Sequence, residues 1–268
     1  MSYESDLSFL DRPEILEVIF PVVYSPFDFP VAPGNSLANA ATYFIEVEEG
    51  IKIGCGFWGS EKELPTILYF HGNGETVGDH DWLAQFYIQI GINLFVADYR
   101  GYGLSNGKPT ITNMIGDSHV IFEGFKKVIE EEGYQSSLFL MGRSLGSIPA
   151  IELAYHHQNE LKGLIIESGS ANNFRGLWNY LGISDRERLS GEKFLNKEKI
   201  ESVLIPTCII HGEHDQIIPV QEGLELYEKS GAGVKDILVI PGAGHNDLMI
   251  RGHEQYFTKI GEFVKKHL

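Results

Sequence analysis

Cysteine is almost missing from this chain: 268 residues contain two, Cys55 and Cys208. Neither belongs to a metal-ligand spacing, so a disulfide framework and a thiolate metal site are both excluded, and a reducing compartment is expected. Basic residues are also scarce, with 21 Lys and Arg against 37 Asp and Glu and a formal net charge of −16. A surface this acidic repels nucleic acid and anionic membranes at long range. No run approaches the roughly 18 apolar residues of a membrane helix. The opening Met1-Ser2-Tyr3-Glu4-Ser5-Asp6 lacks the basic and apolar regions of a secretory signal. Internal repeats and low-complexity segments are absent too. These absences predict a cytoplasmic protein with no nucleic-acid partner and no integral membrane segment. The sequence does not report the oligomeric state.

Apolar material is plentiful. Hydrophobic residues make up 43% of the chain, with 16 Phe and 12 Tyr, enough for a large core. Short apolar runs without alternation occur at Thr66–Phe70, Asn93–Ala97, Leu138–Met141, Gly163–Ile166, Thr207–Ile210 and Asp236–Ile240. Such runs are the pattern of strands covered on both faces. Helical stretches fall between them, near Trp82–Ile90, Thr112–Glu132, Ser144–His157, Gln221–Lys229 and Glu254–His267. In the second of these, Ile115, Val120, Phe122, Phe125 and Ile129 approximate an apolar stripe. Strand–helix alternation predicts an α/β fold with a mostly parallel sheet and helices on both faces. Ahead of it, Thr42–Val47 and Ile51–Trp58 read as a hairpin through Glu48-Glu49-Gly50. Residues 1–40 carry five prolines and are expected to be an irregular N-terminal extension to a domain over 41–268. Residues 171–202 are long for a connection and rich in aromatics (Phe174, Trp178, Tyr180, Phe194), which predicts a small helical cap.

Four segments carry chemistry, each just past an apolar strand. The sharpest is Leu138-Phe139-Leu140-Met141-Gly142-Arg143-Ser144-Leu145-Gly146-Ser147, a strand running through Gly-x-Ser-x-Gly into a helix. A serine at such a turn is pushed out of the sheet, and flanking glycines let neighbouring backbone pass closely. The second is His71-Gly72-Asn73-Gly74. An acyl-transfer intermediate needs backbone N–H donors aimed at its oxyanion. Leu145, after the serine, can supply one, and Asn73 is the candidate for another, with His71 a structural pin for its loop. The third is His211-Gly212-Glu213-His214-Asp215, where Glu213 and Asp215 could each orient a histidine. The fourth is Pro241-Gly242-Ala243-Gly244-His245-Asn246-Asp247, in which His245 is the candidate base and Asp247 reads as a loop or helix cap.

Over about residues 40 to 268 the chain resembles the α/β-hydrolase superfamily. The His71–Gly74 loop, the Asp98-Tyr99-Arg100-Gly101-Tyr102-Gly103-Leu104-Ser105 segment and Gly142–Gly146 together resemble its branch of serine hydrolases that includes ABHD17, ABHD13 and BEM46-like proteins. The resemblance implies nucleophile Ser144, acid Asp215, base His245, oxyanion donors Asn73 and Leu145, and no cofactor. Asp215 matches the family pattern His-Gly-x-x-Asp, while some relatives place the acid where Glu167 stands. The N-terminal cysteine cluster that attaches ABHD17 depalmitoylases to membranes has no counterpart in this sequence, so attachment by that route is not expected.

The expected reaction is hydrolysis of carboxylic esters, with thioesters next, through a Ser-His-Asp triad and an acyl-enzyme. Phe174, Trp178 and Tyr180 are the candidate substrate-binding residues for an apolar acyl group. Arg143 and Arg175 could attract an anionic portion of the substrate or be paired on the surface. Asp98 and Arg100 are expected to hold loops. An acyltransferase, or a binding protein on the same fold, is the alternative.

Overall fold

A computed structural model describes residue 7 and residues 10–21, 41–135, 137–175 and 194–268. The chain forms two compact units, residues 1–137 and 138–268.

In the first unit the hairpin strands are β1 (Ala41–Glu48) and β2 (Ile51–Trp58), followed by β3 (Thr66–Phe70) and β4 (Asn93–Ala97). They lie in the order β1-β2-β4-β3. The first two pairings are antiparallel, and β3 and β4 run parallel. β3 and β4 are buried at every position, as their unbroken apolar runs require. β1 pairs on one side only and is largely exposed.

The helices of this unit are α1 (Pro13–Ile19), α2 (Asp81–Gln89) and α3 (Ile111–Glu131). A reciprocal capping box starts α3: Asn113 N–H donates to Thr110 Oγ1 at 3.1 Å, and Thr110 N–H donates to Asn113 Oδ1 at 2.8 Å. The buried stripe of α3 runs through Ile115, Ser118, Phe122, Phe125 and Ile129. Val120, expected in that stripe, is exposed. It lies two residues from Phe122, about 200° around a helix of 3.6 residues per turn.

The N-terminal expectation needs correction. Within residues 1–40, read as irregular, α1 is a helix begun by Pro13 at its first position, and it buries Ile15, Leu16 and Ile19. Asp11 accepts the Ile111 and Thr112 N–H groups at 2.9 and 3.2 Å, giving α3 a second cap from a hundred residues upstream. Proline content led to the irregular reading, but proline at a first helical turn is compatible with a helix.

The second unit carries β5 (Leu138–Arg143), β6 (Gly163–Glu167), β7 (Thr207–Gly212) and β8 (Lys235–Ile240), parallel and adjacent in that order. Its helices are α4 (Ser147–His157), α5 (Asn196–Ile200), α6 (Val220–Lys229), α7 (Leu248–Arg251) and α8 (His253–Lys266). β5, β6 and β7 are wholly buried. β8, expected to be covered on both faces, is half-buried over most of its length because it pairs only with β7. Much of the expected cap, residues 176–193, lies outside the described residues. No helix among the described residues is long and apolar enough to cross a membrane.

Candidate active site

Three strand ends of the second unit build the site. β5 stops at Arg143, and Ser144 adopts a φ of 53° before a tight 3-10 turn leads into α4. That left-handed backbone is unfavourable for any residue with a Cβ. It is over-determined by the packing: a Cβ on Gly142 would lie 2.2 Å from Gly146 O and 2.7 Å from Ala150 Cβ. Ser147 closes the turn by donating its hydroxyl to Ser144 O at 2.6 Å. Leu145, buried, sits in the turn at the approach to the α4 N-terminus.

β7 delivers the candidate acid. Past its end, Asp215 Oδ1 accepts the N–H groups of Ile217 and Ile218 at 2.9 and 2.8 Å. Its other oxygen, Oδ2, lies 2.7 Å from His245 Nδ1. Burial pushes the Asp215 carboxyl up, but its hydrogen bonds to His211, His245 and Ile218 outweigh burial and hold it well below the usual carboxylate range. An ionised carboxylate only accepts, so His245 carries its proton on Nδ1. Its Nε2 lone pair then faces Ser144 Oγ, 2.9 Å away. The structure therefore brings Ser144, His245 and Asp215 into one hydrogen-bonded line.

The rival acids are committed elsewhere. Glu213 Oε2 accepts Gly242 N–H at 2.8 Å. Glu167, at the end of β6, accepts Arg143 Nε at 3.1 Å and the Tyr256 hydroxyl at 2.6 Å. Asp247 makes no side-chain cap of α7. Instead it accepts Gly244 N–H at 2.6 Å and pairs with Arg251, fastening the loop that carries His245.

Arg143 is corrected from a possible anion-attracting group. It is 6% exposed and is engaged with Glu167, the His245 carbonyl and Asn246. Arg175 is exposed and reaches Glu222 at 3.5 Å. Phe174 also has a positive φ, 58°, and its ring stacks on Phe194 at 6.3 Å between centroids. Trp178 and Tyr180 lie outside the described residues.

In the first unit, the loop after β3 holds Asn73. Its side chain is fully engaged, donating to Ile19 O at 2.5 Å and accepting from the Tyr102 hydroxyl at 2.7 Å. His71 pins the loop as expected. Its Nδ1 is 2.8 Å from Gly72 O, its Nε2 is 3.2 Å from Asp98 Oδ1, and its own carbonyl accepts from Tyr99. Asp98 also accepts Val77 N–H at 2.8 Å. Arg100 grips Asp117 through two hydrogen bonds, of 2.7 and 2.8 Å, and Glu48 through a third.

Sequence reasoning missed His211 as a partner of the acid and the Arg143–Glu167–Tyr256 network. The signal was present only as polar residues at strand ends, with nothing in the spacing to say which of them pair.

A family model described as serine aminopeptidase, S33, matches residues 61–175. The chain is 31% identical over 230 residues to alpha/beta hydrolase domain-containing protein 17C of Xenopus tropicalis, covering 82% of this chain and 68% of that protein. It is 30% identical over 233 residues to human alpha/beta hydrolase domain-containing protein 17B, covering 84% and 75%. Similar solved structures include an esterase of Pyrococcus furiosus, with TM-score 0.68, 20% identity and coverage of 85% and 92%. Another is Est1E of Butyrivibrio proteoclasticus with ferulic acid bound, with TM-score 0.68, 18% identity and coverage of 84% and 98%. These structural likenesses carry the fold, and the relatives carry the family. The chain is an α/β hydrolase and belongs with the domain-containing protein 17 group.

Proposed function

We propose that this hydrolase cleaves carboxylic esters, and thioesters next, with Ser144 as nucleophile, His245 as base and Asp215 as the acid that orients it. The observation that supports the reading is the hydrogen-bonded line Ser144 Oγ to His245 Nε2 to Asp215, at 2.9 and 2.7 Å. As Ser144 attacks the carbonyl, its proton passes to His245, and the adjacent carboxylate stabilises the imidazolium. The oxyanion takes a hydrogen bond from the N–H of Leu145, and Asn73 is the second donor that the family resemblance implies. One such donor contributes about 3 kcal/mol to lowering the barrier. The leaving alcohol or thiol takes the proton from His245, and water then releases the acyl group by the same route. Phe174, Trp178 and Tyr180 are the proposed acyl-binding residues.

The test is hydrolysis of p-nitrophenyl esters from acetate to palmitate, a thioester series and an aminoacyl p-nitroanilide, by wild type and Ser144→Ala. Fluorophosphonate labelling of both proteins runs alongside. Turnover and labelling that both disappear in Ser144→Ala are expected, with esters ahead of the anilide. A wild type that neither labels nor hydrolyses any of these substrates would sink the proposal.

A further inference from the structure

We infer that Arg143 is a positioning residue for the base, tying the peptide that presents Ser144 to the peptide that presents His245. The inference rests on the serine-hydrolase reading above and adds to it a residue that acts through His245.

Arg143 is the last residue of β5, so its backbone runs directly into the nucleophile. Its side chain turns to the neighbouring strand ends. Nη2 donates to the carbonyl of His245 at 3.0 Å and to Asn246 Oδ1 at 2.8 Å. Nε donates to Glu167 Oε1 at 3.1 Å, and the other oxygen of Glu167 receives the Tyr256 hydroxyl from α8 at 2.6 Å. Arg143, Glu167 and Tyr256 are 6%, 1% and 0% exposed. A guanidinium and a carboxylate so far from water persist only when paired and hydrogen-bonded, so this cluster has little freedom to rearrange.

The need for such a tie follows from the loop it holds. His245 lies between β8 and α7, in a stretch with glycine at 242 and 244, and Gly242 has a φ of 69°. A loop of that composition has wide conformational choice. Backbone bonds from Glu213 to Ile240 and from His214 to Ala243 hold it on the acid side. On the nucleophile side, the bond to the His245 carbonyl comes from Arg143. One rigid, forked side chain therefore sets the registry between the serine and the imidazole. Lysine cannot reproduce it, because an ammonium does not present the planar fork that meets Glu167 and the His245 carbonyl together.

The experiment compares wild type, Arg143→Lys, Arg143→Gln and Asn246→Ala. Active sites are counted by fluorophosphonate stoichiometry, ester kinetics are followed across pH, and the proton NMR signal of His245 Nδ1–H is recorded. The expected result for Arg143→Gln is a kcat per labelled site lower by on the order of 10²-fold with KM within about twofold, the signature of a misplaced group. Its Nδ1–H resonance should broaden or move upfield. Arg143→Lys should stay close to Arg143→Gln, and Asn246→Ala should show a smaller loss of the same kind. A drop in melting temperature or labelled fraction, with kcat per site and resonance like wild type, means that Arg143 only supports the fold and overturns the inference. If wild type itself neither labels nor turns over, the ester-hydrolase reading fails separately. The resonance still decides about Arg143, since an unchanged signal in Arg143→Gln overturns its positioning role.

Discussion

His211 stands behind Asp215, its Nε2 3.4 Å from the same Oδ2 that faces His245. That nitrogen is also 2.8 Å from Ile218 O, a group that only accepts, so His211 carries its proton on Nε2. Its Nδ1 is buried without a hydrogen-bond partner among the described residues, packed where a Cβ on Gly223 would come within 2.4 Å.

Replacing His211 with Phe should leave the Ile218 carbonyl unpaired and lower stability by about 1–3 kcal/mol. The Asp215 carboxyl should titrate higher once that partner is gone. Urea denaturation at neutral pH and a carboxyl titration by NMR check both effects, and a variant as stable as wild type would contradict this account.

Asp215→Asn should keep the fold and lower kcat by roughly 10⁴-fold, because an amide no longer enforces the Nδ1–H tautomer of His245. Steady-state ester kinetics beside a melting curve measure it. A loss below tenfold would move the acid's role to another carboxylate.

Gly142→Ala should be poorly tolerated although it adds a single methyl. The 2.2 Å approach to Gly146 O is to backbone, which must shift. Overpacking of this kind costs about 1–3 kcal/mol, and displacement of the Ser144 turn should lower labelling as well. Thermal melts and fluorophosphonate rates provide the check.

The pH dependence of the first unit should carry the mark of His71. Burial lowers its pKa, but the nearby Asp98 carboxylate and the Gly72 carbonyl outweigh burial and raise it above the ordinary value. A raised folded-state pKa gives stability that is complete below the unfolded value, about 6.5, and is lost as pH rises through the folded value. Wild type should therefore lose melting temperature from near neutral pH upward, relative to Asp98→Asn. Parallel curves for the two proteins would remove His71 from the explanation.

Asp11→Ala should destabilise the protein by about 1 kcal/mol, the usual size of a lost helix cap. The effect should appear in chemical denaturation. No change would mean that the N-terminal segment contributes nothing to holding α3.

The fold was legible because its strands are apolar runs punctuated by turns. Leu138–Met141 could not face water on either side, and Gly142-x-Ser144-x-Gly146 marked the turn that follows. Ser144 and His245 could be nominated as candidates from such contexts alone. Choosing Asp215 over Glu213 needed the resemblance, since both sit within reach of one strand end. The Arg143–Glu167–Tyr256 cluster joins residues 24 and 89 positions apart, and no local period encodes such a pairing. Residues 1–40 misled for the opposite reason. Proline composition is read locally, whereas α1 is held by burial of Ile15, Leu16 and Ile19 and by the Asn73 bond to Ile19. Val120 failed because an apolar residue on a helix need not share the buried face.

The φ of 53° at Ser144 sets what this turn presents apart from what would make it most durable. A non-glycine residue in that region is strained by about 1–3 kcal/mol, and glycine would release the strain at once. Selection for heat resistance alone would therefore drift this position toward glycine and discard the hydroxyl. On the proposed mechanism, that strain is what presenting a hydroxyl at this turn costs.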